Sequence, residues 1–513
     1  MNWKRIRQSS VAVMAIIIIA KLIGLMRDIV LANYFGTTNI SDAYITASTV
    51  PTLLFYFIGH SLSTAYIPMY NKVKVASGEK FAQKYSNNLL TAALIIATII
   101  VVILLAFPMV TVKLFAVGFD TETAQIASKL IRISAPSIYL MTMINICGGY
   151  LQANKSFLAP AAISLPRNIA IIVSIALAAS LGTDILGWGL LASYVLEFLF
   201  LAPFVIKKGY VYKPYLNLKD EDLKQTLYIV APILLGMSVS QINKIIDRSL
   251  ASTFVEGGLS ALTYGSFINT AISEVLVTGI ITILFSKCAE YVAKGEDEKV
   301  VKQYSSTINT MLFILIPATV GILVLAKPIV SLLLSRGCFD ETSLEMTSSA
   351  LRFYALCLCF TALRDVTVKI FYAYKNTKAT TITSIISICI NIGLNFLLSH
   401  FMGINGLALA TSIAITIQTI VLYIILKKKL KKIGTKATFV MVLKSVISAT
   451  IMAFVTYFSY EVFNPIMPES VATLLAILIS CIVYFGIALL LKTEPIINLI
   501  HKLFRKKRSS TGD

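Results

Sequence analysis

Charge is scarce in this sequence, and acidic charge most of all. Of 513 residues only 14% are charged, 45 basic against 25 acidic, where soluble domains carry roughly 25%. Too little polar surface remains to coat a water-soluble fold. Histidine is rarer still, with three residues. His60, His400 and His501 are isolated from one another and offer no catalytic or metal cluster. The seven cysteines (147, 288, 338, 357, 359, 389 and 481) show no metal spacing and read as small buried hydrophobes. The alternating segments of about ten residues that a membrane β-barrel needs are missing too.

Hydrophobic residues fill the gap, at 57% of the chain with a mean hydropathy of +0.81. Runs such as Val11–Ala20, Leu89–Phe107, Ala170–Leu181, Leu312–Ala326 and Ser470–Leu491 are nearly uncharged. With their flanks they reach the ~20 residues that span a ~30 Å hydrocarbon core. Backbone polar groups in lipid must be satisfied internally, so the runs read as helices. The expected fold is all-α and integral to the membrane. Fourteen spans are expected, at about 11–34, 43–68, 87–115, 128–150, 158–181, 186–206, 226–252, 261–290, 305–333, 347–373, 380–400, 404–426, 437–459 and 471–491. The start looks like a signal peptide, but no small-residue cleavage site follows it, and it reads as a retained first span.

The net charge of +20 is an orientation signal before anything else. Basic residues gather at the N-terminus (Lys4, Arg5, Arg7), over Lys72 to Lys84, over Lys427 to Lys436, and over Lys492 to Arg508. The opposite loops hold acids such as Asp42, Asp120, Glu256, Asp340 and Glu469. This positive-inside pattern predicts both termini in the cytoplasm. Membrane lipids with anionic headgroups are expected partners and nucleic acid is not.

An internal repeat organises the chain. Tyr85-Ser-Asn-Asn-Leu answers to Tyr304-Ser-Ser-Thr-Ile, Pro108 to Pro328, and Phe119-Asp120 to Phe339-Asp340. Gln152-Ala-Asn-Lys155 resembles Tyr374-Lys-Asn-Thr-Lys378, and Gly189-Leu190 matches Gly406-Leu407. Each copy holds six spans, an even number, so the copies are parallel, which predicts two lobes with a pathway between them. The expected division is residues 1–210 (first lobe), 211–225 (connector), 226–430 (second lobe) and 431–513 (an appended helix pair and basic tail).

Ionisable residues inside spans are costly and point to function. The first span carries Lys21, Arg27 and Asp28 around Gly24; the seventh carries Asn243, Lys244, Asp247 and Arg248. The tenth carries Arg364, Asp365 and Lys369, and the fifth has Arg167 beside Pro166. The bland reading is that Arg27–Asp28, Lys244–Asp247 and Arg364–Asp365 are ion pairs tying helices together. The functional reading is a cationic cavity for a phosphate or pyrophosphate headgroup. Asn391 and Asn395 lie four apart, as do Leu407 and Thr411. With Asp247 these oxygens suit a hard cation, although ordinary interhelical hydrogen bonds explain them equally.

At these residues the chain resembles the MurJ/MviN family of lipid II flippases, within the multidrug and oligosaccharidyl-lipid exporter superfamily. The resemblance rests on Lys21-Leu-Ile-Gly-Leu-Met-Arg27-Asp28, Tyr34-Phe-Gly36, Ser41-Asp42-Ala-Tyr44, Pro51, Tyr66-Ile-Pro68 and Gly236-Met-Ser-Val-Ser-Gln241. It implies two six-helix lobes around a cationic cavity, a last helix pair grooved for a polyprenyl tail, and alternating access in a bacterial inner membrane. It implies a sodium site on Asp247, Asn391, Asn395, Leu407 and Thr411, and no other cofactor. Of four cavity arginines that the family typically shows, the first falls on Lys21 and the second on Arg27; the third and fourth fall on Phe55 and Phe267.

The implied function is the flipping of a lipid-linked cell-wall precursor, lipid II first. Lys21 and Arg27 are expected to hold the diphosphate, with Lys244, Arg248 and Arg364 adding charge. Asp28 and Asp42 are expected to orient the first helix or mark a gate. The competing readings are export of another lipid-linked glycan (capsule, teichuronic or spore-wall type), a multidrug antiporter, a membrane enzyme, and a scaffold for wall-synthesis enzymes. The antiporter calls for an acidic cavity and the enzyme for a carboxylate or histidine cluster at a membrane face; the sequence offers neither.

Overall fold

The computed structural model describes the backbone of residues 3–430, 433 and 436–497. Side chains are described there except at 3–11, 57, 58, 60, 61, 63, 64, 231–233, 235–240, 278 and 283. The basic residues Lys4, Arg5, Arg7, Lys431 and Lys432, the Gly236–Ser240 motif, His60, and the tail beyond 497 with His501 therefore lie outside the described side chains.

Among the described residues the secondary structure is helical throughout. The first half runs α1 (Trp3–Phe35), α2 (Asn39–Ser77), α3 (Glu79–Ala106), α4 (Pro108–Phe115), α5 (Thr121–Ser134), α6 (Ser137–Ala153), α7 (Leu158–Ala162), α8 (Ser164–Leu181), α9 (Asp184–Lys207) and α10 (Glu221–Ala251). The second runs α11 (Gly258–Ala293), α12 (Asp297–Leu334), α13 (Glu341–Ala355), α14 (Leu358–Ala373), α15 (Thr377–Met402), α16 (Ile404–Leu430), α17 (Lys436–Phe463) and α18 (Glu469–Leu490). Among the described residues, eight helical spans are long and apolar enough to cross a membrane, or eleven when three bent pairs each count as one.

The chain packs as two compact units, residues 1–260 with 336–340, and residues 261–335 with 341–513. Within each, local chemistry sets where helices start and stop. The Asp120 side chain accepts from the Thr123 amide at 3.1 Å to cap α5, and hydrogen bonding from Thr123 holds its carboxyl below the usual range. Asp220 caps α10 by accepting from the amides of Asp222 (2.9 Å) and Leu223 (3.2 Å).

Several expected spans are not straight. The 87–115 run ends one helix at Phe107 and starts α4 at Pro108, since proline offers no amide to continue the ladder. The 128–150 span is the bent pair α5–α6, folded by 49° at Ala135-Pro136, and 347–373 is α13–α14, folded by 46°. The repeat is visible in matching local geometry, with one correction. Lys155 (φ 59°) and Lys375 (φ 56°) each follow the C-cap of a helix, α6 and α14, in the left-handed region. Lys155 therefore corresponds to Lys375, not to Lys378; a gap in the loop sequence hides a register that the helix ends fix.

Where α1 gives way to α2, backbones meet with no side chain between them. A Cβ on Gly257 (φ 75°) would lie 2.0 Å from the Thr37 carbonyl oxygen, and one on Gly337 (φ 59°) 2.2 Å from that of Asn33. Both positions demand glycine on two counts, conformation and contact. Gly257→Ala should destabilise the purified protein by about 1–3 kcal/mol and lower its melting temperature. Gly148→Ala, where a Cβ meets no atom within 4 Å, should leave it unchanged or higher. Equal melting for the two variants would refute this account.

Candidate functional site

The first unit gathers ionisable side chains from α1, α2, α8, α9 and α10. On α1, the Arg27 Nη2 lies 2.8 Å from the Asp28 carboxylate, and its Nε donates to the same oxygen at 2.9 Å. Arg364 and Asp365 on α14 repeat this pairing at 2.8 and 3.0 Å. The bland reading, in which these pairs tie helices together, does not hold for them: each closes between neighbouring residues of one helix. An arginine side chain is long enough to fold back onto the adjacent carboxylate, which lets an isolated helix carry both charges into low dielectric as a neutral unit. Lys21, one turn before Gly24 on the same helix, is exposed.

Asp42 does not face the α1 charges. It is 2% exposed, and its two carboxylate oxygens accept from the backbone amides of Gly257 (3.0 Å) and Ser260 (2.7 Å). The carboxylate therefore sits on the first turn of α11, where unsatisfied amides and the helix dipole favour negative charge. Nearby, the Asn39 amide donates to Glu256 at 3.3 Å. Asp42 is a clasp joining the start of α2 to the start of α11.

On α10 the Asn243 amide donates to Asp247 at 3.0 Å, one helical turn apart. Arg248 reaches α2, its Nη1 donating to the Thr49 hydroxyl at 2.7 Å. Lys244 is exposed. Arg167 on α8 stands 3.9 Å from Glu197 of α9. Sequence reasoning noted Arg167 but passed over Glu197, since one glutamate inside an apolar run carries no spacing signal.

Within the second unit, α15 and α16 bring Asn391, Asn395, Leu407 and Thr411 into one hydrogen-bonded chain. Asn395 donates to the Asn391 oxygen (3.3 Å), Asn391 to the Thr411 hydroxyl (3.4 Å), and Thr411 to the Leu407 carbonyl (3.0 Å). Amide, hydroxyl and carbonyl oxygens without sulfur or imidazole are the donor set of a hard cation. The four residues fit sodium by that chemistry. Asp247 belongs to the other packing unit.

The second unit also holds a groove of about 380 Å³ between α11, α12, α17 and α18. Its walls are almost wholly apolar, with Ile272, Phe313, Pro317, Ile322, Met452 and Phe485 among them. Proline shapes it. Pro317 has no amide to donate to the Phe313 carbonyl one turn earlier, and the Tyr484 hydroxyl of α18 donates there instead, at 2.7 Å. The appended helices are thereby fastened to α12 beside the groove. Of the two expected arginine positions that hold phenylalanine, Phe55 is buried at 7% exposed, its ring over Gly59, where a Cβ would come within 2.2 Å, and Phe267 is half-buried.

The family profile for lipid II flippase MurJ matches residues 31–479. The chain belongs to the MurJ family. A probable lipid II flippase MurJ of Rickettsia prowazekii is 27% identical over 488 residues, covering 92% of this chain and 95% of that protein. Another, from Thermotoga maritima, is 26% identical, covering 94% and 96%. A solved structure titled lipid II flippase MurJ, inward closed conformation, superposes with a TM-score of 0.81 at 27% identity, covering 93% of this chain and 98% of that one. An inward-facing multidrug resistance MATE transporter of the MOP superfamily shares the fold at a TM-score of 0.69 and 18% identity, covering 83% of this chain and 99% of that one. The protein is accordingly a multi-pass membrane protein of the bacterial inner membrane.

The tyrosine–proline fastening can be measured by a double-mutant cycle. Tyr484→Phe should lower stability by about 1 kcal/mol in the natural sequence. After Pro317→Ala restores an amide donor, it should cost much less. Equal costs in both backgrounds would show that the hydroxyl is not serving the freed carbonyl.

Proposed function

We propose that this protein flips lipid II, a polyprenyl-diphosphate-linked peptidoglycan precursor, from the cytoplasmic to the outer leaflet by alternating access. The observation that carries the reading is the family match across residues 31–479, joined by the fold shared with the solved flippase at a TM-score of 0.81. It acts as a carrier, not as a catalyst of bond-making chemistry. Fourteen crossings follow when α1, α2 and α10, at 33, 39 and 31 residues, are added to the eleven. The positive-inside pattern places both termini in the cytoplasm.

The residues divide the work by chemistry. Arg27 spends Nε and Nη2 on Asp28, leaving Nη1 to meet a phosphate oxygen. Lys21, Lys244 and Arg248 add the positive charge that a diphosphate requires, and Arg364 contributes from α14. The groove beside α18 takes the polyprenyl tail, for which apolar walls cost nothing in desolvation. Sodium, when bound, supplies a positive charge that favours one conformation over the other. Asn391, Asn395, Leu407 and Thr411 would hold it, and Asp247 is assigned to the same ion through the family resemblance. Asp42 keeps α2 and α11 clasped until the substrate arrives. Enzymes of wall synthesis are natural partners at the cytoplasmic face.

The test is complementation in a bacterium depleted of its own lipid II flippase. The natural sequence should restore wall synthesis. Arg27→Ala should abolish rescue, and Asp247→Ala or Asn395→Ala should reduce it and weaken its dependence on sodium. Failure of a well-expressed, inserted protein would move the reading to another lipid-linked glycan, with Phe55 and Phe267 as the residues to exchange first.

A further inference from the structure

The first unit contains a cavity of about 410 Å³ between α2, α6, α8 and α9. Tyr56, Asn145, Gln152, Arg167, Tyr194 and Glu197 supply its polar and aromatic lining. Its chemistry differs from that of the α1 charges. Glu197 is 3% exposed, and one of its carboxylate oxygens has no hydrogen-bond partner; the Nε of Arg167 has none either. The two side chains face each other at 3.9 Å, beyond the 2.7–2.9 Å at which a charge-assisted hydrogen bond closes. The Arg167 guanidinium also lies 5.7 Å from the centre of the Tyr194 ring. An ion pair whose task was to lock α8 to α9 would close that gap. This one is held apart, presenting a buried donor and a buried acceptor to one cavity.

Those two groups select a ligand class. An anion is disfavoured by Glu197 and a cation by Arg167, because the pair is neutral as a whole. A ligand that both donates and accepts hydrogen bonds satisfies both at once, which describes hydroxyl and acetamido groups. The tyrosine rings offer flat faces for the C–H surface of a pyranose. The α8 wall of the cavity also packs on α1, where the Asn168 side-chain amide, next to Arg167, donates to the Ala20 carbonyl, next to Lys21, at 3.4 Å. We infer that this cavity is a saccharide subsite, in which Arg167 and Glu197 grip the hydroxyl and amide groups of the sugar attached to the diphosphate. The inference rests on the transport reading above and specifies which part of the substrate the first unit holds.

The test uses the purified full-length protein in nanodiscs and two probes that lack a stem peptide, undecaprenyl diphosphate and lipid II enzymatically stripped of its peptide (written lipid II below), so that they differ in the sugars alone. Glu197→Gln keeps the shape and removes the charge. Gly148→Leu fills the cavity from α6, where a Cβ meets no atom within 4 Å, without touching the pair. Both variants should weaken lipid II binding roughly tenfold or more and leave undecaprenyl diphosphate unchanged, while Arg27→Ala weakens both probes. Loss of both probes equally, loss of neither, or an effect of Glu197→Gln without one from Gly148→Leu would overturn the subsite. Natural protein that binds the two probes equally would overturn it too, leaving transport to be judged by complementation. Natural protein that binds neither probe would sink the transport reading and the subsite with it.

Discussion

Hydrocarbon offers no water to a polar atom, and the interior of both units is arranged around that fact. Hydroxyls turn back onto their own helices: Thr142 donates to the Ile138 carbonyl and Thr456 to that of Met452. Where a helix breaks and frees a carbonyl, a side chain from another helix meets it. Ser412 of α16 donates to the Phe353 carbonyl near the α13–α14 bend. The Arg27–Asp28 and Arg364–Asp365 pairs obey the same constraint by neutralising themselves on one helix. The Arg167–Glu197 pair differs in kind: two groups of opposite charge face each other at 3.9 Å, and each keeps a buried polar atom without a hydrogen-bond partner.

The substrate proposed here has three chemically different parts, and the protein presents three matching environments. Arginine and lysine on α1 and α10 suit the diphosphate. A neutral, hydrogen-bonding, aromatic cavity in the first unit suits the sugars. An apolar groove in the second unit suits the tail. Separate environments allow each part to be recognised without compromise, since a charged, hydrated site that stabilises a diphosphate gives a hydrocarbon chain no apolar surface on which to leave water.

Much of this was legible in the residues. Hydropathy located the helices because span length is set by bilayer thickness, and the charges of α1 and α10 stood out because ionisable groups there are costly. Hydropathy passed over the bends at Ala135-Pro136 and near Cys357, since a bent pair is as apolar as a straight helix. The Lys155–Lys375 correspondence was missed by three residues because loops tolerate gaps that backbone geometry does not. The partners of Arg27 and Arg364 were legible, Asp28 and Asp365 in each case, but not that each pair closes on its own helix, since spacing does not say how far a flexible side chain folds back. Glu197 was silent because its significance lies in what faces it from α8. The groove was invisible because apolar residues lining a cleft read the same as apolar residues filling a core.

Pro317 of α12 has a consequence for how a helix pair can be added to an existing bundle. A regular helix offers a newcomer only a smooth cylinder, on which it can slide or roll. Removing one amide exposes a single carbonyl at one height and one azimuth, and the Tyr484 hydroxyl fits it as a key fits a keyway. The last two helices are thus indexed along α12 by this bond together with the one that Ser331 of α12 donates to Glu469 of α18 at 2.7 Å. The walls of the groove can then yield to a long, irregular chain while the frame that carries them keeps its alignment.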